Sequence, residues 1–437
     1  MESRRCDIVT QFLFRQKAWA IVSKKIVFAP ASGVMSHVVR CLVVGRALKE
    51  RGHEVIFAGL PKYLQDPAVV FPGEFGYYPL PDFTTDEAME SLRSMKRHYT
   101  RETIVSHIEE ELTMFEELKP ELVVSDFRLT MYISARVAKV PLASFLNARW
   151  LGPHFHGSYH APDTHPVPLA MKRMFGTRLA DALWIRVLNL IQRYKLSPYY
   201  YASKKYHLEK KSLIPDLVEG DYNLILDTKL LGPTRDLPPN FLQVGPVIWS
   251  PDLPLPSWVK DLDRKRPVIY VTMGSSGHTD LFRMILDTFR GSRYQVIVST
   301  GGQIDLRKDE IPEDFYVEKY LPGDKIMEMA DIVICHGGNQ TVYQAVQAGT
   351  PTIVIATHLD QEWGGEMLEE HQAGIFLTII RVLRDPSLLL QSVNRMFEKL
   401  YLYHANMKLL KEDLARYDPV NQAAAGIESF LDGKVNH

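Results

Sequence analysis

The feature that most constrains this chain is a recurring unit: an apolar strand, a turn of small residues, an amphipathic helix and a second strand. Residues 24–30 (K-K-I-V-F-A-P) are a short apolar run, and 31–36 form a small-residue turn around Gly33. Val38, Val39, Leu42, Val43, Ala47 and Leu48 then recur at helical spacing. Arg51-Gly52 supplies a basic last turn and a terminal glycine, and 53–59 (H-E-V-I-F-A-G) reads as the next strand. Downstream, 331–335 (D-I-V-I-C), the turn 336–341 (H-G-G-N-Q-T), a helix stopped by G-T-P at 349–351 and the strand 352–356 repeat the scheme. Such units build parallel sheets that bind ligands at the carboxyl ends of their strands.

Composition sets the outer limits. A length of 437 residues predicts two to four domains, two large ones being the simplest division. With 46% hydrophobic and 24% charged residues, the chain is expected to be globular rather than disordered or collagen-like. Lys+Arg number 51 and Asp+Glu 52, so no overall basic excess points to nucleic acid. Three cysteines, Cys6, Cys41 and Cys335, lack C-x-x-C spacing, which argues against a disulfide framework or structural zinc and for a reducing, cytoplasmic setting. No apolar run is long enough for a transmembrane helix.

Residues 1–23 precede the first strand. Arg15, Gln16 and Lys17 interrupt their apolar residues, so an unbroken signal-peptide core is not evident. The segment reads as a disordered or loosely docked extension, or as an amphipathic helix touching a membrane surface.

His37 falls in the first turn of the first helix, where the positive helix end disfavours imidazolium and favours a neutral base. Asp126 ends the strand 121–125, which is followed by a helix at 129–139 and a strand at 140–146. In a parallel sheet both residues reach one edge. A carboxylate there can orient the imidazole and stabilise its protonated form. Each also has a plainer role, His37 bonding the turn and Asp126 capping a helix.

Residues 61–119 and 147–206 read as less regular inserts rich in aromatics, among them Phe71, Phe83, Trp150, Phe155, Trp184 and Tyr199, a minority of which would line an apolar cleft. His154, His156, His160 and His165 follow no zinc-ligand spacing and are broken by prolines, so no metal site is expected.

Residues 231–265 contain seven prolines and read as an extended linker, in which Asp261-Leu262-Asp263 is a solvated charge cluster. After it, the strand 267–272 leads into Gly274-Ser275-Ser276-Gly277, whose backbone N–H groups can face an anion. Strands at 294–299 and 316–320 continue the alternation. At 336–341, Gly337 and Gly338 permit close backbone approach, while His336 and Thr341 add donors to the N–H groups of the helix start. This is a phosphate cradle without the lysine of a P-loop.

The run H-G-G-N-Q-T-V-Y-Q-A at 336–345, G-T-P at 349–351, D-Q at 360–361 and G-V-M-S-H at 33–37 together resemble the family-1 nucleotide-sugar glycosyltransferases of the bacterial macrolide and carotenoid type. His37 also lies 15 residues before Gly52, as the family pattern has it, and the resemblance covers roughly 24–433. It implies the GT-B fold: two Rossmann-like, doubly wound parallel-sheet α/β domains facing each other across a cleft. The corresponding division is an extension at 1–23, an acceptor domain at 24–245, a donor domain at 246–416 and a C-terminal helix at 417–437 that returns to the first domain.

The resemblance further implies inverting transfer from a UDP- or dTDP-sugar to a hydroxyl of a small aromatic or lipophilic acceptor, with no cofactor and no metal. His37 would be the base and Asp126 its partner. His336, Gly338, Asn339, Gln340 and Thr341 would hold the diphosphate, with Gly274, Ser275 and Ser276 opposite. Tyr320 and Leu321 would meet the nucleobase, and Asp360 and Gln361 the donor sugar. Gln344 stands where the family has a ribose-binding Glu, so the charge-assisted bond is replaced by an amide contact. Other chemistry on the same fold, such as a nucleotide-sugar epimerase, and a silent sugar-nucleotide-binding helper are the alternatives.

Overall fold

Apolar runs of three to six residues become strands, and the helical-period segments between them cover both sheet faces. The computed structural model describes residues 22–434 except 68, 94–96, 98, 158, 264, 275–278, 305, 308 and 309. Residues 1–21 of the expected extension, and Ser275 and Ser276 of the expected donor loop, lie outside the described residues.

The first sheet contains β1 (Lys25–Pro30), β2 (Glu54–Gly59), β3 (Gly76–Pro79), β4 (Leu122–Asp126), β5 (Leu142–Leu146), β6 (Tyr222–Ile225) and β7 (Phe241–Gln243). They are parallel, in the order β3-β2-β1-β4-β5-β6-β7. The second sheet contains β8 (Val268–Thr272), β9 (Gln295–Ser299), β10 (Phe315–Glu318), β11 (Ile332–Cys335), β12 (Thr352–Ala356) and β13 (Gly374–Thr378), parallel and ordered β10-β9-β8-β11-β12-β13.

In each sheet the strand order reverses once, between β1 and β4 and between β8 and β11. These switch points are where a doubly wound sheet opens a crevice at its carboxyl edge. At the first, Pro30 pairs with Asp126; at the second, Thr272 pairs with Cys335.

The last helix, Pro419–Leu431, buries Ala423, Ala424, Ile427 and Phe430 in the first domain's core. Phe430 stacks on Tyr222 of β6 at 5.4 Å, and Glu428 bonds Arg51 at 2.8 Å.

Two sequence expectations are corrected. The inserts are largely helical: Arg101–Leu118 and Thr177–Lys195 are long helices, the first capped by Thr100. Their apolar positions, Ile104, Ile108, Met114 and Phe115 in the first and Ala180 and Trp184 in the second, recur at helical spacing, and prolines stand in the first turns of other helices, at Pro166 and Pro198. The start of the proline-rich segment is also not linker, since Phe241–Gln243 forms the edge strand of the first sheet, where proline neighbours are tolerated.

Gly337 has φ +86°, and a Cβ there would lie 2.5 Å from the Gln361 carbonyl oxygen. Backbone conformation and the approach of the helix Leu359–Glu370 therefore both demand glycine. Gly337→Ala is expected to cost about 3 kcal/mol, from left-handed strain plus overpacking, measured by chemical denaturation. An unchanged midpoint would contradict this reading of the turn.

Candidate functional site

The two switch points face one cleft of ≈1090 Å³. Its first-domain wall carries His37, brought there by the helix Met35–Glu50, and is backed by Asp126 at the end of β4. Its second-domain wall carries Gly274, Tyr320, Leu321, His336, Gly338, Asn339, Gln340, Thr341, Gln344, Asp360 and Gln361. Every described site residue from the sequence, apart from the buried Asp126, lines this space.

His37 Nδ1 lies 2.7 Å from Asp126 Oδ1. Arg40, one turn further along the helix, donates to both Asp126 oxygens, through Nε at 2.9 Å and Nη2 at 2.6 Å. Arg40 Nη2 also lies 3.0 Å from His37 Nδ1. An arginine has no acceptor, and an Nδ1 that donates to Asp126 has no free lone pair, so this approach is a contact and not a further hydrogen bond. That tautomer leaves Nε2 as the basic nitrogen. Burial raises the Asp126 carboxyl, but the charges of Arg40 and His37 and their hydrogen bonds outweigh it and hold the group below its ordinary value.

Phe127, directly after Asp126, has φ +61°, a strained conformation for an aromatic residue. It stacks on His37 at 5.5 Å and meets Trp150, which meets Trp363 of the second domain at 5.1 Å.

Arg40 continues to Asn147, whose Oδ1 accepts from Nη1 at 3.0 Å. The Asn147 amide NH₂ points to Asp227 at 3.2 Å. Asp227 also accepts from the Ala148 N–H at 2.7 Å and, from the second domain, from Asn339 Nδ2 and Tyr343 OH, each at 3.0 Å. Burial pushes the Asp227 carboxyl up, and these hydrogen bonds oppose it. A hydrogen-bonded path thus runs from His37 to the helix Asn339–Ala348. Sequence reading did not find Arg40, Phe127, Asn147 or Asp227. Arg40 carried a signal, lying three residues from His37 and so on the same helix face.

At the donor side, the helix Asn339–Ala348 starts on Gly338 without a side-chain cap, so its first N–H groups face the cleft. His336 is buried against them, and its Nδ1 makes no hydrogen bond of ordinary geometry. Burial lowers its pKa to about 4, opposed in part by the Thr272 backbone, so the ring is neutral at pH 7. A Cβ at Gly338 would lie 2.5 Å, and one at Gly274 2.7 Å, from this ring. Gln340 and Gln344 both donate to the Trp249 carbonyl, at 2.9 and 2.8 Å.

Asp360 is open to the cleft, yet the cleft is walled by protein. Withdrawal from bulk water raises its carboxyl, while His37, Arg149 and Arg40 pull it down. Gln361 is turned inward, its carbonyl accepting from the Thr357 N–H and hydroxyl, each at 2.8 Å. Glu362 and Glu366 on the same helix reach the first domain. Glu362 accepts from the N–H groups of Asp163 and Thr164, and Glu366 pairs with buried Arg149 at 3.0 Å.

The four clustered histidines disperse: His160 lies near Asp181, His165 caps the helix at Pro166, and His154 packs on Phe241. Among the described residues no group of three metal-binding side chains forms. No described helix is long and apolar enough to cross a membrane.

Comparison with known proteins places this geometry. The family model "Glycosyltransferase family 28 C-terminal domain" matches residues 268–414. A PGL/p-HBAD biosynthesis glycosyltransferase of Mycobacterium tuberculosis (strain ATCC 25177 / H37Ra) is 32% identical over 361 residues, covering 82% of each chain. A PGL/p-HBAD biosynthesis rhamnosyltransferase of Mycobacterium bovis (strain BCG / Pasteur 1173P2) is 31% identical, over 82% of this chain and 78% of that one. Among solved structures, the spinosyn forosaminyltransferase SpnP superposes with TM-score 0.64 over 94% of this chain and 100% of its own, at 17% identity, a likeness of fold.

Two expectations follow from the geometry. The unfolded chain protonates His336 near its ordinary 6.5, whereas the folded chain does so only near about 4. Between these values the unfolded state binds more protons, so stability falls as pH falls, by ~3 kcal/mol across the window. His336→Asn should flatten that part of the urea stability profile, and an equally steep profile would exclude His336 as its source. Asp227→Ala strands four donors from two domains and should cost ~2–4 kcal/mol in denaturation and weaken nucleotide binding. Unchanged stability and affinity would remove Asp227 from the junction.

Proposed function

The chain belongs to the nucleotide-sugar glycosyltransferases with the GT-B fold, and from that premise we propose that it moves a sugar from a dTDP- or UDP-linked donor to a hydroxyl of an aromatic, lipophilic acceptor, inverting the anomeric carbon. The observation that carries this reading is His37: its Nδ1 is committed to Asp126 while its ring lines the cleft that the Asn339 helix start also faces.

In the proposed reaction, His37 Nε2 takes the acceptor proton as the oxygen attacks the anomeric carbon. The bond from that carbon to the donor diphosphate breaks. The resulting imidazolium is held by Asp126, which Arg40 keeps ionised. The negative charge left on the diphosphate is met by the first N–H groups of the helix Asn339–Ala348 and by neutral His336 acting as a donor. No charged side chain of the cradle is needed. The amide of Gln344 uses its NH₂ on Trp249, leaving Oε1 to accept from a ribose hydroxyl. Tyr320, exposed at the rim, would stack on the nucleobase. Asp360 would bond a hydroxyl of the donor sugar, whereas Gln361 acts by holding the 357–361 turn.

The acceptor class is supported by the first-domain side of the cleft, where Phe83, Tyr99, Phe127, Trp184 and Tyr199 form an apolar lining, Phe127 stacking on His37. The rhamnosyltransferase among the relatives favours a deoxyhexose donor such as a rhamnose nucleotide.

General-base catalysis contributes ~10²–10⁴-fold. His37→Ala should lose turnover by about that factor while keeping nucleotide affinity, measured with a panel of dTDP- and UDP-sugars and phenolic acceptors. Near-normal turnover would overturn the assignment. Nucleotide release that does not depend on acceptor would point away from transfer.

A further inference from the structure

The helices Pro166–Phe175 and Thr177–Lys195 pack against each other across Gly176 and leave an unusual outer face. Met174 (73% exposed), Phe175, Leu179, Ile185, Leu190 (64% exposed) and Tyr194 are large apolar side chains open to solvent on this one segment. Residues 166–205 also hold eight lysines and arginines against a single acidic residue, Asp181, in a chain whose net charge is -1. Arg173, Arg178, Arg186 and Arg193 are exposed and make no ion pair among the described residues.

The two faces of the longer helix are cleanly divided. At 3.6 residues per turn, Trp184, Leu188, Ile191 and Lys195 fall within one sector of roughly 60°, and all four line the cleft. Arg178, Ala182, Arg186 and Arg193 lie on the opposite side, flanked by Leu179, Ile185 and Leu190. The helix therefore turns one apolar side into the protein and presents outward a stripe of arginines flanked by exposed apolar side chains.

We infer that this face docks on an anionic lipid bilayer, with Met174 and Phe175 at the turn entering the headgroup–acyl boundary and the arginines meeting lipid phosphates. A face of exposed apolar residues beside unpaired cations is the pattern of interfacial helices, for which buried apolar area and attraction to anionic lipid act together. An acidic protein partner would match the charge but leave unexplained the apolar tip. The docking surface stands independently of the transfer reaction. It rests on the proposed function only for its use: an acceptor drawn from the bilayer would enter the cleft behind the wall that Trp184 and Leu188 form.

The test is sedimentation of the full chain with vesicles of phosphatidylcholine alone or with phosphatidylglycerol added. Expected is association with the anionic vesicles, reversed by salt. R178Q/R186Q/R193Q should weaken it ~10²-fold, at about fivefold per basic residue removed. M174S/F175S should weaken it at least tenfold while leaving turnover on a water-soluble acceptor unchanged. No association with either vesicle, or undiminished association of both variants, would overturn the inference and place any membrane contact elsewhere. So would a dimer in sedimentation velocity that the same substitutions dissolve without any vesicle binding, which assigns the face to a second copy.

Discussion

Asp227 carries the arrangement on which the rest of the molecule depends. A buried carboxylate with no cation beside it survives only if donors surround it. Here those donors come from both domains: Ala148 and Asn147 from the first, Asn339 and Tyr343 from the second. Separating the domains would leave the carboxylate with half its partners. The same interaction fixes the orientation of Asn147, whose oxygen must then face Arg40. The register between the base and the donor helix is thus set by one buried carboxylate at the wall of the cleft.

A second set of contacts joins the two domains. Glu362 and Glu366 reach from the helix Leu359–Glu370 to the 149–164 segment of the first domain. Arg149 lies between Glu366 and the ring of Trp363, whose indole also meets Trp150. Burial raises the Glu366 carboxyl to about 7, against the pull of Arg149, so this clamp is costly to form and persists because packing surrounds it. The strained backbone of Phe127 belongs to the same economy of position. It turns the chain sharply after Asp126 so that an aromatic ring backs the imidazole.

The parts of this architecture visible in the sequence are those set by local pattern. The strand runs at 25–30, 122–126, 268–272 and 332–335 are apolar and short, and their glycine-bearing turns place His37, Gly274 and His336 without knowledge of the fold. What stayed hidden is what depends on packing between distant segments. Arg40 sits in an ordinary helical position and gains its role only because β4 lies beside β1. Asp227 follows an unremarkable strand and becomes a junction only when the second domain arrives. The insert helices carry their apolar spacing locally, as Trp184, Leu188 and Ile191 do, but which wall that stripe forms depends on packing between distant segments.

The near-neutral composition conceals a division of charge by task. The proposed diphosphate cradle, His336 to Thr341 with Gly274, contains no lysine or arginine and works through backbone dipoles and a neutral imidazole. The buried arginines lie on the acceptor side, each already matched: Arg40 to Asp126, Arg128 to Glu111 and Asp82, Arg149 to Glu366. A cradle without cations binds an anion by geometry, and that geometry depends on the helix start being held where Asn339 meets Asp227 and where Gln340 and Gln344 meet Trp249. At position 344 a carboxylate would face the Trp249 carbonyl oxygen with two acceptors and no hydrogen between them. The amide resolves that conflict, tying the segment between the domains to the donor helix. Gln344, one of the positions that depart from the family pattern, thus also ties the 249 segment to the donor helix.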